Sequence, residues 1–155
     1  MKFIIALCWT LIGPPLVSLT QALHVRLLHD WVRKPGTTFL HPQCTWKLAE
    51  THPSQGTYVG SDFYDWYVRQ LAGTYSEWNV VVSDIIGSSI GGIVVGQYRF
   101  QKPNGGWCTA PFTHFYRIRR GQITDVRYFM GDVSRFNTPQ QSIERRALLL
   151  FCSPN

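Results

Sequence analysis

The chain has 155 residues, 45% of them hydrophobic, and carries a formal net charge of +6. This length allows one hydrophobic core and is too short for two ordinary domains with separate cores. The basic residues form no long run and do not alternate with aromatic residues as on a nucleic-acid-binding platform, so we expect no nucleic-acid partner. An aromatic content of 14% is typical of a fold that lines a cavity with rings.

The N-terminus permits two interpretations. Residues 1–22 begin with a charge, continue as an uncharged stretch and end in small or polar residues, which is the order of a secretory signal peptide. Pro14 and Pro15 interrupt the apolar run, however, and residues 16–31 also fit an amphipathic first helix. The protein is expected to be secreted or periplasmic in the first case and cytoplasmic in the second, without a stable membrane span in the mature domain.

Apolar periodicity predicts a helix over residues 23–32 and a second helix from Ser61, as N-cap, to about Leu71. Between them, alternation of apolar and polar residues predicts a strand over residues 45–50, and a loop rich in Pro, Ser and Gly follows over residues 52–60. Four more strands, parted by turns that contain Gly, are predicted over residues 78–86, 92–101, 107–119 and 122–130. Helices followed by a strand meander predict an α+β fold with the helices on one face of the sheet.

Three stretches carry a resemblance to a known family. Residues 112–132, FTHFYRIRRGQITDVRYFMGD, resemble the last hairpin of SnoaL-like proteins, in which an inward His precedes a charged turn, a Gly and a second strand. A Trp-bearing strand after the helix end at residues 41–42, and GTYVGSDFYDWYVRQL over residues 56–71, are similar to the family's first strand and to its third helix with the preceding glycines. The resemblance implies one domain over residues 23–132, followed by a tail over residues 133–155.

SnoaL-like proteins belong to the nuclear-transport-factor-two-like, or ketosteroid isomerase-like, superfamily. The resemblance implies a cone-shaped, strongly bent antiparallel sheet wrapped on N-terminal helices, with an internal pocket. Members include isomerases, epoxide hydrolases, polyketide cyclases and binding modules, so the fold alone does not give the activity. We expect a hydrophobic small-molecule ligand, no cofactor, and a homodimer, because a bent sheet with apolar residues on both faces has more apolar surface than one helix layer covers.

One catalytic candidate agrees in type with the family. The proton donor of the ketosteroid isomerases falls at His114, which shares a strand face with Phe112 and Tyr116. Apolar neighbours are expected to lower its pKa and keep the ring neutral. His114 is then either an acid or base, with Tyr116 and Tyr128 as hydrogen-bond donors, or a core histidine bonded to a backbone carbonyl or a Tyr hydroxyl.

Other family positions do not agree. The Asp base of the ketosteroid isomerases falls at Leu48, and the next inward position is Glu50, which is either a displaced second base or a solvated residue at a strand end. The Asp, Arg, Asp set of limonene epoxide hydrolases falls at Gln97, Arg99 and Tyr128. Both carboxylates are missing there, so epoxide hydrolysis is disfavoured.

The expected function is the binding of a hydrophobic small molecule in the conical pocket. Two alternatives remain open, namely a cofactor-independent isomerase, cyclase or lyase that uses His114, and a noncatalytic ligand-binding or dimerisation module. Seven residues besides the catalytic candidates are expected to line the pocket: Trp46, Leu48, Tyr64, Gln97, Arg99, Phe112 and Tyr116.

Histidine and cysteine spacing predicts no metal site. His24 and His29 are the closest approach to a ligand pair, and they lack further partners. If residues 1–22 are removed, the cysteines Cys44, Cys108 and Cys152 remain, so at most one disulfide can form, and buried thiols are the favoured interpretation.

Overall fold

The computed structural model describes residues 19–49, 52, 54–101 and 105–131. Several predicted features lie outside the described residues. They are most of the predicted signal peptide, the candidate base Glu50, Cys152 and the tail over residues 133–155.

The described chain contains two α-helices and six strands. Helix α1 covers residues 19–33, a 3-10 turn spans Thr37–Phe39, and helix α2 spans Asp62–Thr74. The strands are β1 Leu40–Leu48, β2 Gly56–Val59, β3 Glu77–Ser88, β4 Gly91–Gln101, β5 Trp107–Arg119 and β6 Gln122–Met130. Neither helix of this part of the chain is long and apolar enough to cross a membrane.

The last four strands confirm the predicted meander, whereas the segment before α2 corrects two expectations. Residues 52–60 are not wholly a loop, because β2 pairs with β1 and places Tyr58 opposite Trp46. Ser61 does stand at the N-cap of α2, but its side chain makes no capping hydrogen bond, since its own backbone is already helical.

The six strands form one curled, unclosed sheet, which confirms the α+β fold class. Their order is β2-β1-β6-β5-β4-β3. Neighbouring strands are antiparallel except β1 and β6, which are parallel, so the sheet is mixed. The meander β3–β6 begins at the edge of the sheet opposite β2 and crosses the sheet strand by strand. Its last strand, β6, therefore lies beside β1 and runs in the same direction as β1. In the edge strand β3 the pairing with β4 shifts register between Val82 and Asp84.

Strand alternation decides which side chains face the helices. Along β5 every second residue from Ala110 to Ile118 is buried, and the residues between them are exposed or half-buried. The other strands add to the same inner face, and the largest fully buried side chains there or on α1 are Trp46, Leu28, Ile123, Val94, Val126 and Cys44. These residues form the core that supports the cavity described below.

Two glycines allow α1 to lie directly on the end of the β3–β4 hairpin. A Cβ atom at Gly92 would stand 2.6 Å from Leu28 Cδ1 and 2.7 Å from the Ile86 carbonyl oxygen. A Cβ atom at Gly87 would stand 2.8 Å from the Gln21 carbonyl oxygen. The helix that touches this hairpin therefore includes residues 19–22, which the signal-peptide interpretation assigns to the leader.

Gly92→Ala should destabilise the fold by about 1–3 kcal/mol, because the added methyl group overpacks the contact between α1 and the sheet. The matched control is Gly73→Ala in α2, where a Cβ atom meets nothing within 4 Å and the loss of glycine should stabilise by about 0.5–1 kcal/mol. Urea unfolding of both variants measures the difference. Equal free energies of unfolding for the two variants would contradict the close approach at Gly92.

Candidate functional site

A cavity of about 70 Å³ lies between the two helices and the concave face of the sheet. Its walls are aromatic and aliphatic, and no charged side chain of the described residues lines it. The polar groups that reach it are phenols and imidazole from α2 and the sheet, together with indole rings: Tyr64, Tyr67, Tyr98, His114, Tyr116, Tyr128, Trp31 and Trp78. Pockets for drug-sized ligands measure roughly 300–1,000 Å³, so such a guest requires the side chains at the mouth to move.

His114 lies at the centre of the polar groups and is only 5% exposed. Its Nε2 is 2.9 Å from the Tyr98 hydroxyl and its Nδ1 is 3.2 Å from the Tyr116 hydroxyl. The imidazole also stacks on Tyr128 at 3.8 Å and on Phe112 at 4.2 Å between ring centroids. Both ring nitrogens thus have neutral hydroxyls as hydrogen-bond partners. This matches the environment expected of a core histidine bonded to Tyr hydroxyls, which is one of the two interpretations of the sequence.

The environment keeps this cluster uncharged. Burial lowers the pKa of His114 well below its ordinary value, and the nearby His52 lowers it further. Burial likewise raises the pKa of Tyr98 and of Tyr128 well above the ordinary value for tyrosine. At neutral pH the cavity therefore presents neutral hydrogen-bond donors and acceptors rather than ions.

Helix α1 joins the cluster through Trp31. The indole Nε1–H donates to the Tyr116 hydroxyl at 3.3 Å. Burial raises the pKa of Tyr116, whereas its hydrogen bonds with Trp31 and Tyr128 act in the opposite direction. The Tyr116 hydroxyl thus has three polar neighbours, one each from α1, β5 and β6.

A second buried histidine lies next to the first. His52 accepts the Ser54 backbone N–H at Nδ1 over 3.0 Å, so in the neutral ring the proton is on Nε2, which donates to the Tyr67 hydroxyl at 2.8 Å. Burial lowers the pKa of His52 to about 4. The centroid of its ring is 6.5 Å from that of Tyr128, so Tyr128 stands beside both imidazoles.

The structure brings together some of the residues that the sequence selected. Tyr64, Phe112 and Tyr116 line the cavity with His114 and Tyr128. Trp46 and Leu48 are buried in the core rather than in the cavity wall, and the Trp46 indole donates to the Gly60 carbonyl at 2.8 Å.

Gln97 and Arg99 require a correction, since both are exposed on the outer face of the sheet. Alternation along β4 turns Tyr98 and Phe100 inward, so the residues between and before them point away from the helices. Arg99 lies over the ring of Trp107, with 5.4 Å from its Cζ atom to the ring centroid.

Sequence reasoning missed five polar members of the site: Trp31, His52, Tyr67, Trp78 and Tyr98. Tyr67 lies within the second predicted helix and His52 within the predicted loop, and neither pattern marks these residues as part of a site. For Tyr98 a signal was present, because its alternation with Gln97 and Arg99 already placed the aromatic residue on the inner face.

The described part of the chain contains neither a metal-binding group nor a disulfide bond. No group of three or more His, Cys, Asp or Glu residues there is arranged to hold a metal ion. Cys44 and Cys108 are free thiols, and burial, followed by the charge of Asp125, raises the pKa of Cys44 to about 12.

Comparisons with known proteins agree with the observed fold. The sequence profile of the SnoaL-like domain matches residues 29–126. A search of curated proteins found no match. Among solved structures, a nuclear-transport-factor-two-like protein from Burkholderia thailandensis is similar with a TM-score of 0.65 at 17% identity, over 74% of this chain and 97% of that chain.

Two similar structures contain small molecules. TerC, co-crystallised with polyporic acid, gives a TM-score of 0.58 at 17% identity over 76% of this chain and 92% of its own. A protein with a ketosteroid isomerase-like fold from Catenulispora acidiphila, in complex with trimethylamine, gives 0.58 at 12% identity over 66% of this chain and 83% of its own. At these identities the similarities show the fold alone.

The free energy of unfolding should fall as the pH drops from about 6.5 towards 4. An unfolded histidine titrates near about 6.5, whereas folded His52 titrates at about 4, so the unfolded chain binds a proton first and the stability present above the unfolded pKa is lost on acidification. This difference corresponds to roughly 3 kcal/mol for His52. Urea unfolding of the wild type at a series of pH values measures it.

The variant His52→Gln should reduce this pH dependence, whereas His29→Gln, at an exposed position of α1, should leave it as in the wild type. Identical pH profiles for the wild type and His52→Gln would contradict the burial of a neutral imidazole at this position.

Proposed function

This chain belongs to the SnoaL-like domain family, and we propose that it binds a flat hydrophobic molecule bearing a carbonyl group and moves a proton on it, with His114 as acid or base. The supporting observation is the buried cluster in which His114 is held between the hydroxyls of Tyr98 and Tyr116. Such an activity needs no cofactor and corresponds to a cofactor-independent isomerase, cyclase or lyase.

The neutrality of the cluster favours a carbonyl ligand over an ionic one. An ion entering the cavity loses its hydration and finds no opposite charge among the described lining residues. A carbonyl oxygen, by contrast, accepts hydrogen bonds from neutral phenols. These bonds strengthen as negative charge develops on the oxygen during enolisation, because the surroundings exclude water.

The lowered pKa of His114 favours a role as hydrogen-bond donor or acid towards the carbonyl oxygen of the ligand. A histidine that resists protonation is a weak base, but its neutral ring still donates a hydrogen bond at neutral pH. Tyr128 stacks directly on this ring and is proposed as a further donor to the ligand.

Removal of a proton from carbon requires a second group. We propose Glu50 for this role, which is one of the two roles that the sequence leaves open for it. The residue before it, Ala49, lies next to β6, because its backbone N–H donates to the Tyr128 carbonyl at 3.0 Å. Variants at Glu50 therefore belong in the functional test.

The second candidate is a noncatalytic ligand-binding module. It is favoured by the lack of a carboxylate among the described lining residues and by the small cavity volume. In this case His114 orients a ligand and no bond to hydrogen is broken.

Proton exchange distinguishes the two candidates. The purified protein is incubated in D₂O with 2-tetralone, a benzo-fused cyclic ketone with acidic α-protons, and the loss of α-proton signals is followed by NMR. For an enzyme, His114→Gln and Glu50→Gln should each lower the enzyme-dependent exchange rate by roughly a hundredfold or more. The control Trp107→Phe, at an exposed position, should leave the rate unchanged.

Binding is measured in parallel by fluorescence of the cavity tryptophan residues, with 2-tetralone and with polyporic acid as probes. Saturable binding without accelerated exchange supports the binding module and refutes the catalytic proposal. Absence of both binding and exchange refutes the carbonyl ligand class for either candidate.

We further propose that the chain forms a homodimer through the outer face of the sheet. Phe115 and Phe129 stand on this face, 41% and 45% exposed, with ring centroids 5.5 Å apart. Exposed aromatic pairs of this kind favour burial against a second apolar surface.

Sedimentation should therefore detect a dimer of the wild type at micromolar concentration, and Phe115→Glu should shift it to a monomer because a charge is then buried at the contact. Trp107→Glu provides the control, since Trp107 is 49% exposed at the opposite end of β5. A monomeric wild type under these conditions would exclude the proposed contact.

A further inference from the structure

We propose that the outer face of the sheet carries a second binding site, a groove that takes one amphiphilic carboxylate, that is, a molecule with an anionic head and an apolar tail. The groove has a volume of about 270 Å³ and lies beside the β3–β4 turn. Its wall includes Phe115, which alternates with His114 along β5 and points to the opposite side of the sheet. The site is therefore separate from the cavity and does not depend on the proposed function.

The floor of the groove is a row of apolar side chains on three neighbouring strands. Ile86 of β3 pairs with Ile93 of β4, and Ile93 pairs in turn with Phe115 of β5. Ile86 and Phe115 are 50% and 41% exposed, so this row is open to solvent. Neighbouring strands lie about 4.8 Å apart, so the row spans about 10 Å across the sheet. An apolar tail laid along it would cover all three side chains.

The β3–β4 turn gives the groove a raised side. Ile90, in this turn, lines the groove and is 63% exposed. The turn is held over β5, because the Ile90 carbonyl accepts the Ile118 backbone N–H at 3.0 Å. A flat strip of apolar residues thus becomes a depression that can enclose the tail of a single molecule.

Two arginines line the end of the groove that lies away from β3, namely Arg117 of β5 and Arg127 of β6. In the backbone register Phe115 is opposite Arg127 and Arg117 is opposite Asp125. The two arginines are therefore diagonal neighbours on adjacent strands, a spacing that long side chains can bridge. One anionic head group can be reached by both.

The charges at this end of the groove do not cancel. The Arg127 Nε–H donates to Asp125 Oδ1 at 3.2 Å, whereas no carboxylate of the described residues lies within 4.0 Å of the Arg117 guanidinium. Two guanidinium groups and one carboxylate leave a net charge of +1 among the lining residues. The groove is thus complementary to an anion, and Arg117 is the group that can receive it.

Charge and shape together select the class of ligand. A guanidinium group binds a carboxylate through two parallel hydrogen bonds, so the head is placed at Arg117 and the tail on the isoleucines. An anion without a tail would leave the apolar floor uncovered, and a cation would be repelled by the net charge. A depression bounded by a turn favours a single molecule over a lipid surface.

The test is ¹H–¹³C spectroscopy of protein labelled at the isoleucine δ1 methyl groups, titrated with octanoate. Ile86, Ile90 and Ile93 report on the groove, whereas Ile118 and Ile123, 4% and 0% exposed in the core, serve as internal references. Each signal is assigned by its loss in the corresponding Ile→Val variant. Octanoate should shift the three groove signals in a saturable way and leave the two reference signals in place. Groove signals that do not respond would overturn the proposal.

Two related ligands separate the contribution of the tail from that of the head. Butyrate has the same head and four fewer methylene groups, so it should bind roughly tenfold or more weakly. Octylammonium has the same tail with the opposite charge and should bind more weakly than octanoate. Equal affinities for octanoate and octylammonium would contradict recognition of an anionic head.

Arg117→Gln and Arg119→Gln form a matched pair of variants. Both remove one positive charge from an exposed position of β5, but only Arg117 lines the groove. Arg117→Gln should weaken octanoate binding by roughly two- to fivefold, the effect of losing an exposed ion pair, and Arg119→Gln should leave it close to that of the wild type. If both variants weaken binding equally, only the net charge of the protein matters, and the site at Arg117 is refuted.

Two further measurements exclude other sites for the same ligand. Addition of 2-tetralone, the probe for the cavity, should not displace octanoate, and displacement would place octanoate in the cavity and overturn the proposal. Vesicles of dioleoylphosphatidylglycerol test a lipid surface as the source of the anion. Co-sedimentation of the protein with these vesicles, without a response to octanoate, would likewise overturn the single-molecule site.

The groove also shares Phe115 with the proposed dimer contact. A bound anion and a second copy of the chain then compete for this side chain, so octanoate should lower the dimer fraction in sedimentation. If the wild type is a monomer, the dimer proposal fails, and the methyl spectra still decide whether the groove binds octanoate.

Discussion

The structure depends on one constraint, namely that polar groups enclosed by aromatic rings must satisfy each other. Water is largely excluded from the concave face of the sheet, and an unpaired donor or acceptor there costs about 1–3 kcal/mol. Among the described residues no buried side-chain nitrogen or oxygen lacks a hydrogen-bond partner. Trp31 of α1 and Tyr67 of α2 contact Tyr116 and Tyr128 of the sheet, so the cluster ties α1, α2 and the sheet into one arrangement.

The same constraint explains the chemistry of the site. Burial of an ion costs free energy because its hydration is lost. Among the described residues the cavity is lined by phenols, imidazole and indole rather than by carboxylates or cations. Neutral groups can be shared between structure and function, because a hydrogen bond that stabilises the fold can be exchanged for one to a ligand at little cost. The second histidine extends this principle, since His52 and Tyr67 repeat the pairing of imidazole with phenol at the neighbouring wall.

Local patterns in the sequence were sufficient for most of the fold. The alternation in residues 107–130 places His114, Tyr116 and Tyr128 on one face, and the structure agrees because each strand follows its own period of two. Gln97 and Arg99 were misplaced because their positions were taken from the alignment with epoxide hydrolases instead of from the alternation of β4 itself. His52 and β2 could not be predicted, since their partners Tyr67 and Trp46 lie in other elements and a short segment rich in Gly and Thr has no periodicity of its own.

The parallel pairing of β1 with β6 also affects the rate at which the protein folds. The two strands are separated along the chain by β2, α2 and the rest of the meander, so their contacts have a large sequence separation, and ordering the chain between them costs entropy before any contact forms. Tyr128 lies in this pairing, opposite Leu48, while its ring contacts His114 of β5 and Tyr67 of α2. The polar cluster is therefore complete only when the slowest contacts of the sheet have formed, and refolding should regain helical structure well before it regains a competent cavity.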